Sequence, residues 1–200
     1  MKKFFGFLCF FIFMMLVAIW ATPCLACLIF IDFDSLENTN AQINGVPSPY
    51  VEEKFSIAGN PLNSFGQANS RYAGSAGLLV GSSAGQALLT GPWPFDLYSI
   101  ELSFIELSGT SPPVTFTGNL SGGGTVMQTF QPISFGFTQF DFNGSFTDLV
   151  SVSWLQGTDE LNGHQFDNIV VSDIPEPTTM LLLVTGLVGV AGASRRKKKK

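Results

Sequence analysis

Between Leu28 and Asp173 the sequence has almost no positive charge, no cysteine and a single histidine. Only Lys54 and Arg71 are basic there, against fourteen carboxylates, a balance of −12. Phosphate recognition needs concentrated Lys and Arg, so this composition argues against nucleic acid and anionic lipid as partners. Cys9, Cys24 and Cys27 all lie in or beside the N-terminal apolar run, which leaves the stretch after them without disulfide or thiol chemistry. One histidine, His164, excludes a His-based zinc cluster, and its place beside Gly163 suggests an exposed loop. No Gly-x-Ser-x-Gly elbow stands between a strand and a helix, and Glu101 and Glu106 fall on opposite faces of a strand. The missing parts weigh against a hydrolase.

The overall net charge of −5 conceals where the cations are: Lys2, Lys3 and the six residues Arg195 to Lys200 all sit in the terminal segments. Lys2 and Lys3 precede an apolar run from Phe4 to Trp20, and small residues follow at Ala21 and Ala26. This is the layout of a secretory signal peptide, with cleavage expected after Ala26. The run Cys24-Leu25-Ala26-Cys27 faintly resembles a lipoprotein box, which offers acylation of Cys27 as the alternative.

The other end carries Ile174-Pro175-Glu176-Pro177, then seventeen uncharged residues from Thr178 to Ser194, then the six terminal cations. Seventeen apolar residues are near the lower limit for a transmembrane helix, and the cations would hold its end in the cytoplasm. Pro175 and Pro177 lack backbone donors and keep their neighbours extended and accessible, as a processing enzyme requires. Pro-Glu-Pro, the Thr178-Thr179 pair, the Gly186-Leu187-Val188-Gly189 stretch and the basic end together resemble the PEP-CTERM sorting signals of Gram-negative bacteria. That resemblance implies export and a transient membrane anchor. It also implies recognition at Pro175, Glu176 and Pro177 by an exosortase, with Arg195, Arg196, Lys197, Lys198, Lys199 and Lys200 as the basic stop. The destination it implies is the outer surface or extracellular matrix. A permanent anchor is the simpler alternative.

Three segments follow: a signal peptide over 1–26, an exported domain over 27–173 and a sorting signal over 174–200. The 146 residues from Leu28 to Asp173 are enough for one core without staples. Short alternating runs broken by Gly, Pro, Asn and Ser indicate strands and turns. Strands are expected over Leu28 to Asp34, over Glu52 to Ala58 after the Pro47-Ser48-Pro49 turn, and over Phe95 to Leu107. In the last of these Tyr98, Ile100, Leu102 and Phe104 share one face, with Ser99, Glu101 and Ser103 on the other. Further strands are expected at Val114 to Leu120, turning through Gly122-Gly123-Gly124 into Thr125 to Phe130, and at Phe137 to Phe142, Leu149 to Leu155 and Gln165 to Val171. In Leu149 to Leu155 the residues Val150, Val152 and Trp154 share a face. Gly77 to Val80 can pair with Gln86 to Thr90. This makes roughly eight to ten strands, the spacing of a sandwich. Of the twenty Phe residues in the chain, most of those outside the N-terminal run fall on the alternating faces, as core residues would.

The fold expected is all-β: an antiparallel, jelly-roll-like β-sandwich flanked by a signal-peptide helix and a C-terminal transmembrane helix. From Phe33-Asp34 to Phe166-Asp167-Asn168-Ile169 the order of elements resembles the jelly-roll domains of carbohydrate-binding modules and other secreted bacterial proteins. The resemblance implies a structural calcium shared by an acidic residue near the first strand, Asp32 or Asp34, and by Asp167 in the last, with carbonyls completing a hard oxygen shell. Otherwise Asp167 accepts strand-end hydrogen bonds. Asp159-Glu160-Leu161-Asn162-Gly163 lacks EF-hand spacing and reads as an Asn-Gly turn. Trp93, set between Pro92 and Pro94, is the candidate sugar-stacking ring, with Tyr50 and Tyr72 as further loop aromatics; a ring plugging the sandwich edge is the alternative for Trp93. The combined expectation is a non-enzymatic structural or adhesive protein of the cell surface. A module binding extracellular polysaccharide is the rival.

Overall fold

A computed structural model of the chain describes residues 27–81, 85–105, 112–155 and 163–173. These fall in one compact unit bounded by Cys27 and Ile174. The segments expected at 1–26 and 174–200 lie outside the described residues, as do Glu106 and residues 159–162. Among the described residues, no helix is long and apolar enough to cross a membrane.

Among the described residues twelve strands run in chain order: β1 Leu28–Ile31, β2 Ile43–Val46, β3 Tyr50–Glu52, β4 Phe55–Ala58, β5 Leu62–Phe65, β6 Leu78–Val80, β7 Gln86–Phe104, β8 Val114–Leu120, β9 Thr125–Phe130, β10 Thr138–Asp141, β11 Leu149–Leu155 and β12 His164–Asp173. A single 3-10 turn, Asp34–Leu36, is the only helical element among the described residues. Every pairing is antiparallel.

The long strand β7 belongs to both layers of a sandwich. Its first half lies between β4 and β11, which extends through β8 to β9 on one side and through β4 to β3 on the other. Its second half lies between β10 and β12, and the far edge of β12 carries β1 along its C-terminal part and β6, β5 and β2 beyond its N-terminal part. The corner between the halves is Gly91-Pro92-Trp93-Pro94. Thr90 pairs with Ser151 and Phe95 with Leu149, so these four residues loop out opposite Val150 alone. Two prolines without donors cannot continue a ladder, and a Cβ on Gly91 would meet Phe55 at 2.9 Å and Phe95 at 3.1 Å.

The core lies between the layers. Leu89, Phe116, Val152 and Trp154 come from the first layer, and Ile31, Ile100, Leu102, Phe166 and Val171 from the second. Trp154 packs its ring 5.1 Å from Phe116 in its own layer and 4.9 Å from Phe166 in the other, joining the two. Each such side chain contributes about 1.5–3 kcal/mol by leaving water.

The structure agrees with the sequence at β8, β9, β10, β11 and β12 and over Phe95–Phe104 of β7, and corrects it at the following points. Glu52 to Ala58 is the turn and second strand of a hairpin, β3–β4, turning on Glu53 (φ 46°) and Lys54 (φ 73°). β1 stops at Ile31, because Phe33 takes a left-handed φ of 55° and leads into the 3-10 turn. β6 pairs with β5 and β12 and not with Gln86–Thr90. Register shifts move two residues off their expected faces. Tyr98 is turned outward while Leu97 and Ile100 are buried, and Val150 is outward while Leu149 and Val152 are buried. His164 is a buried residue of β12 opposite Phe104, not an exposed loop residue. Tyr50 lies in β3, not in a loop.

Candidate functional site

Alternation on the second layer turns Glu101 and Ser103 of β7 and Gln165 and Asp167 of β12 away from the core, in register as Ser103–Gln165 and Glu101–Asp167. In a bare sheet this row would be wet. Instead the β5–β6 connection, residues 66–77, and the β9–β10 connection, residues 131–137, close over it. Gln165 Nε2 donates to the Arg71 carbonyl at 2.8 Å, and the Ser75 hydroxyl donates to Asp167 Oδ2. From the other side Gly136 N–H donates to Ser103 Oγ at 3.0 Å, and Phe104 N–H to the Ser134 carbonyl at 3.2 Å. The two connections meet where the Phe137 ring lies against Gly77; a Cβ at Gly77 would stand 2.4 Å from Phe137 Cζ. Ser103, Gln165 and Asp167 are consequently all fully buried. Gln165 Oε1 has no hydrogen-bond partner.

Asn168 separates the two carboxylates of this site. It takes φ 46°, a left-handed value that Asn tolerates better than most residues. That turn lets its backbone N–H reach Asp167 Oδ1 at 2.7 Å while its side-chain amide donates to Glu101 Oε2 at 2.9 Å. Burial pushes Asp167 up to about 6, against the pull of the Ser75 and Asn168 donors, and the Glu101 and Asp34 charges add to the rise. The covering segment is tied down further out: Tyr72 donates to Glu37 Oε1 at 2.6 Å and Gln67 Nε2 to Glu37 Oε2 at 2.7 Å. Burial first, then the Glu37 carboxylate, pushes the Tyr72 phenol up to about 12.

A second acidic group stands at the end of β1. Phe33 N–H donates to Glu52 Oε2 at 3.3 Å, and Tyr50 donates to the same oxygen at 2.9 Å. Burial, joined by Asp32, raises the Glu52 carboxyl above its ordinary value although the Tyr50 hydrogen bond lowers it. The Tyr50 ring packs edge-on against Phe33 at 5.6 Å.

Of the residues singled out in the sequence, Asp34 is exposed on the 3-10 turn, close enough to Asp167 for its charge to be felt. Among the described residues no group of three or more His, Cys, Asp or Glu is positioned to hold a metal ion. A calcium beside Asp167 would therefore draw most of its shell from carbonyls and water. Trp93 is 51 % exposed at the β7 corner, whereas Trp154 is core. Tyr72 is anchored to Glu37. Pro175, Glu176, Pro177 and the six terminal cations lie outside the described residues. Sequence reasoning missed Ser75 and Gln165, set Glu101 aside as half of a carboxylate pair with Glu106, and gave Asn168 no role beyond the closing strand; the polar pairs His164-Gln165 and Asp167-Asn168 inside a strand were the available signal.

Residues 173–197 match the profile of the PEP-CTERM protein-sorting motif. No curated protein has a sequence that matches this chain. Among solved structures, a family 29 carbohydrate-binding module from Piromyces equi is similar at a TM-score of 0.45 and 13% identity, covering 74% of this chain and 91% of that one. A mutant of the family 29 module CBM29-2 is similar at a TM-score of 0.42 and 13% identity, covering 74% of this chain and 92% of that one.

Proposed function

We propose that the chain is an exported protein whose C-terminal segment is a removable membrane anchor, processed at Pro175-Glu176-Pro177 by an exosortase. The β-sandwich is thereby delivered to the outer surface or extracellular matrix of a Gram-negative bacterium. There it acts without catalysis, as a structural or adhesive component. The carrying observation is the sorting-motif match, which begins at Asp173, the last residue of β12. Every strand among the described residues thus precedes the proposed processing point. The test follows the size and location of three chains: native, Pro175→Ala/Pro177→Ala, and one lacking residues 195–200. A shortened surface product from the native chain, and full-length membrane-bound variants, are expected. Full-length native chain in the inner membrane would sink the reading.

Binding of extracellular polysaccharide is a second reading, supported by Trp93. The flanking prolines fix its backbone, and half its area is open to stack on a sugar face. Retention on insoluble polysaccharide that weakens in Trp93→Ala is the expected result. Equal retention of native chain and variant would remove Trp93 from the argument.

A further inference from the structure

We infer that the outward face of β1, with the adjoining Tyr98 of β7, is a membrane-interface patch that seats the sandwich against a zwitterionic bilayer while the C-terminal anchor is in place. This rests on the anchor reading above. Leu28 and Phe30 are 52 % and 57 % exposed, and Tyr98 is 43 % exposed. The register makes them one patch. Leu28 stands opposite Ser172 and Phe30 opposite Val170, and the Ser172 hydroxyl donates to the Tyr98 hydroxyl at 3.4 Å. None of these five residues is charged, in a stretch of chain that carries −12 (two cations, fourteen carboxylates).

The length of the remaining chain selects the occupant. Ser172 is one residue from the end of β12, and only Ile174-Pro175-Glu176-Pro177 separates Asp173 from the apolar run that starts at Thr178. Four residues span at most about 14 Å when fully extended. The headgroup layer occupies roughly 5–7 Å of that. The end of β12, and Leu28 beside it, are therefore held at the lipid headgroups. There an aromatic with a polar tip such as Tyr98 is favoured, and exposed Leu and Phe find apolar contact. Asp96 opposite Ser172 and Asp141 opposite Ser99 border the patch, which favours zwitterionic over anionic lipid.

The experiment reconstitutes the mature chain, Cys27 to Lys200, carrying Phe30→Trp into phosphatidylcholine vesicles, with or without lipids brominated near the glycerol end of the acyl chain. Tyr98→Trp serves as a second reporter should the first fold poorly. After subtraction of the native chain's emission, at least a twofold quenching of the added indole by brominated lipid is expected. Added emission equal in both vesicles, from chain that floats with them, overturns the patch and leaves the anchor standing. Chain that fails to float overturns both.

Discussion

The two layers of the sandwich present opposite outer faces. On the first, Thr115, Thr117, Ser151 and Ser153 alternate with core residues and keep contact with water, joined by modest bonds such as Thr115 to Thr129 at 2.8 Å and Asn119 to Ser151 at 2.9 Å. On the second, two connecting segments roof the sheet, and every buried polar side chain among the described residues belongs to that layer: Ser64, Ser99, Ser103, His164, Gln165, Asp167 and Ser172. The two groups pushed furthest from ordinary solution values, Asp167 and Tyr72, belong to that layer and its roof, whereas the raised Glu52 carboxyl lies in β3 of the first layer. A polar residue on a wet sheet face stabilises little; the same residue under a roof must be satisfied or costs free energy.

The largest expected effect that separates the faces is the pH dependence set by Asp167. Its carboxyl holds a proton more tightly folded than unfolded, so its contribution is complete below the ordinary value near 3.8 and is lost as pH rises through about 6. Between pH 4 and 7 the native chain should lose up to about 3 kcal/mol relative to Asp167→Asn, read from urea melts of both. A difference that is flat or of opposite sign would break the contrast. Calcium that raises the midpoint at pH 7 in the native chain and not in Asp167→Asn would identify a metal in place of the proton.

Next comes the roof itself. Gly77→Ala forces a methyl against Phe137 and should destabilise by about 1–3 kcal/mol, and Phe137→Ala in the same chain should recover part of that loss. Purely additive losses in the double variant would mean that the two connections are not coupled there. The smallest effect belongs to the open face: Thr115→Val, which removes an exposed cross-strand hydrogen bond and keeps a β-branched side chain, should move stability by less than about 0.5 kcal/mol. A loss above about 2 kcal/mol would show that this face also is covered.

The same contrast explains what could be read from the residues. β8, β9 and β11 are legible because a half-wet strand writes its alternation into the chain, and Gly123 and Gly124 take the positive φ that the β8–β9 turn needs. The β3–β4 hairpin is illegible because Glu53 and Lys54 fill a turn that usually advertises itself with Asn-Gly. Tyr98 and Val150 are misplaced by register shifts against β12 and β8, whose single extra residues leave no periodic trace. The site is the least legible part. Gln165 and Asp167 look like solvent-facing residues until segments from 66–77 and 131–137 arrive over them, and such long-range cover has no local signature. Asp167 itself could be picked out, but its partner Ser75 stands 92 residues away.

β12 occupies the middle of its layer, flanked by β7 on one side and by β1 and β6 on the other. A strand in that place that is also the last among the described residues sets the order of events. β1 and β6 must wait, unpaired on that edge, until nearly all of the sandwich has been made, which puts closure of the layer among the slow, non-local folding steps. Completion of the fold and arrival of the segment that directly follows β12 are thus close in time. A sandwich of this design becomes compact only as the residues that match the sorting motif are added.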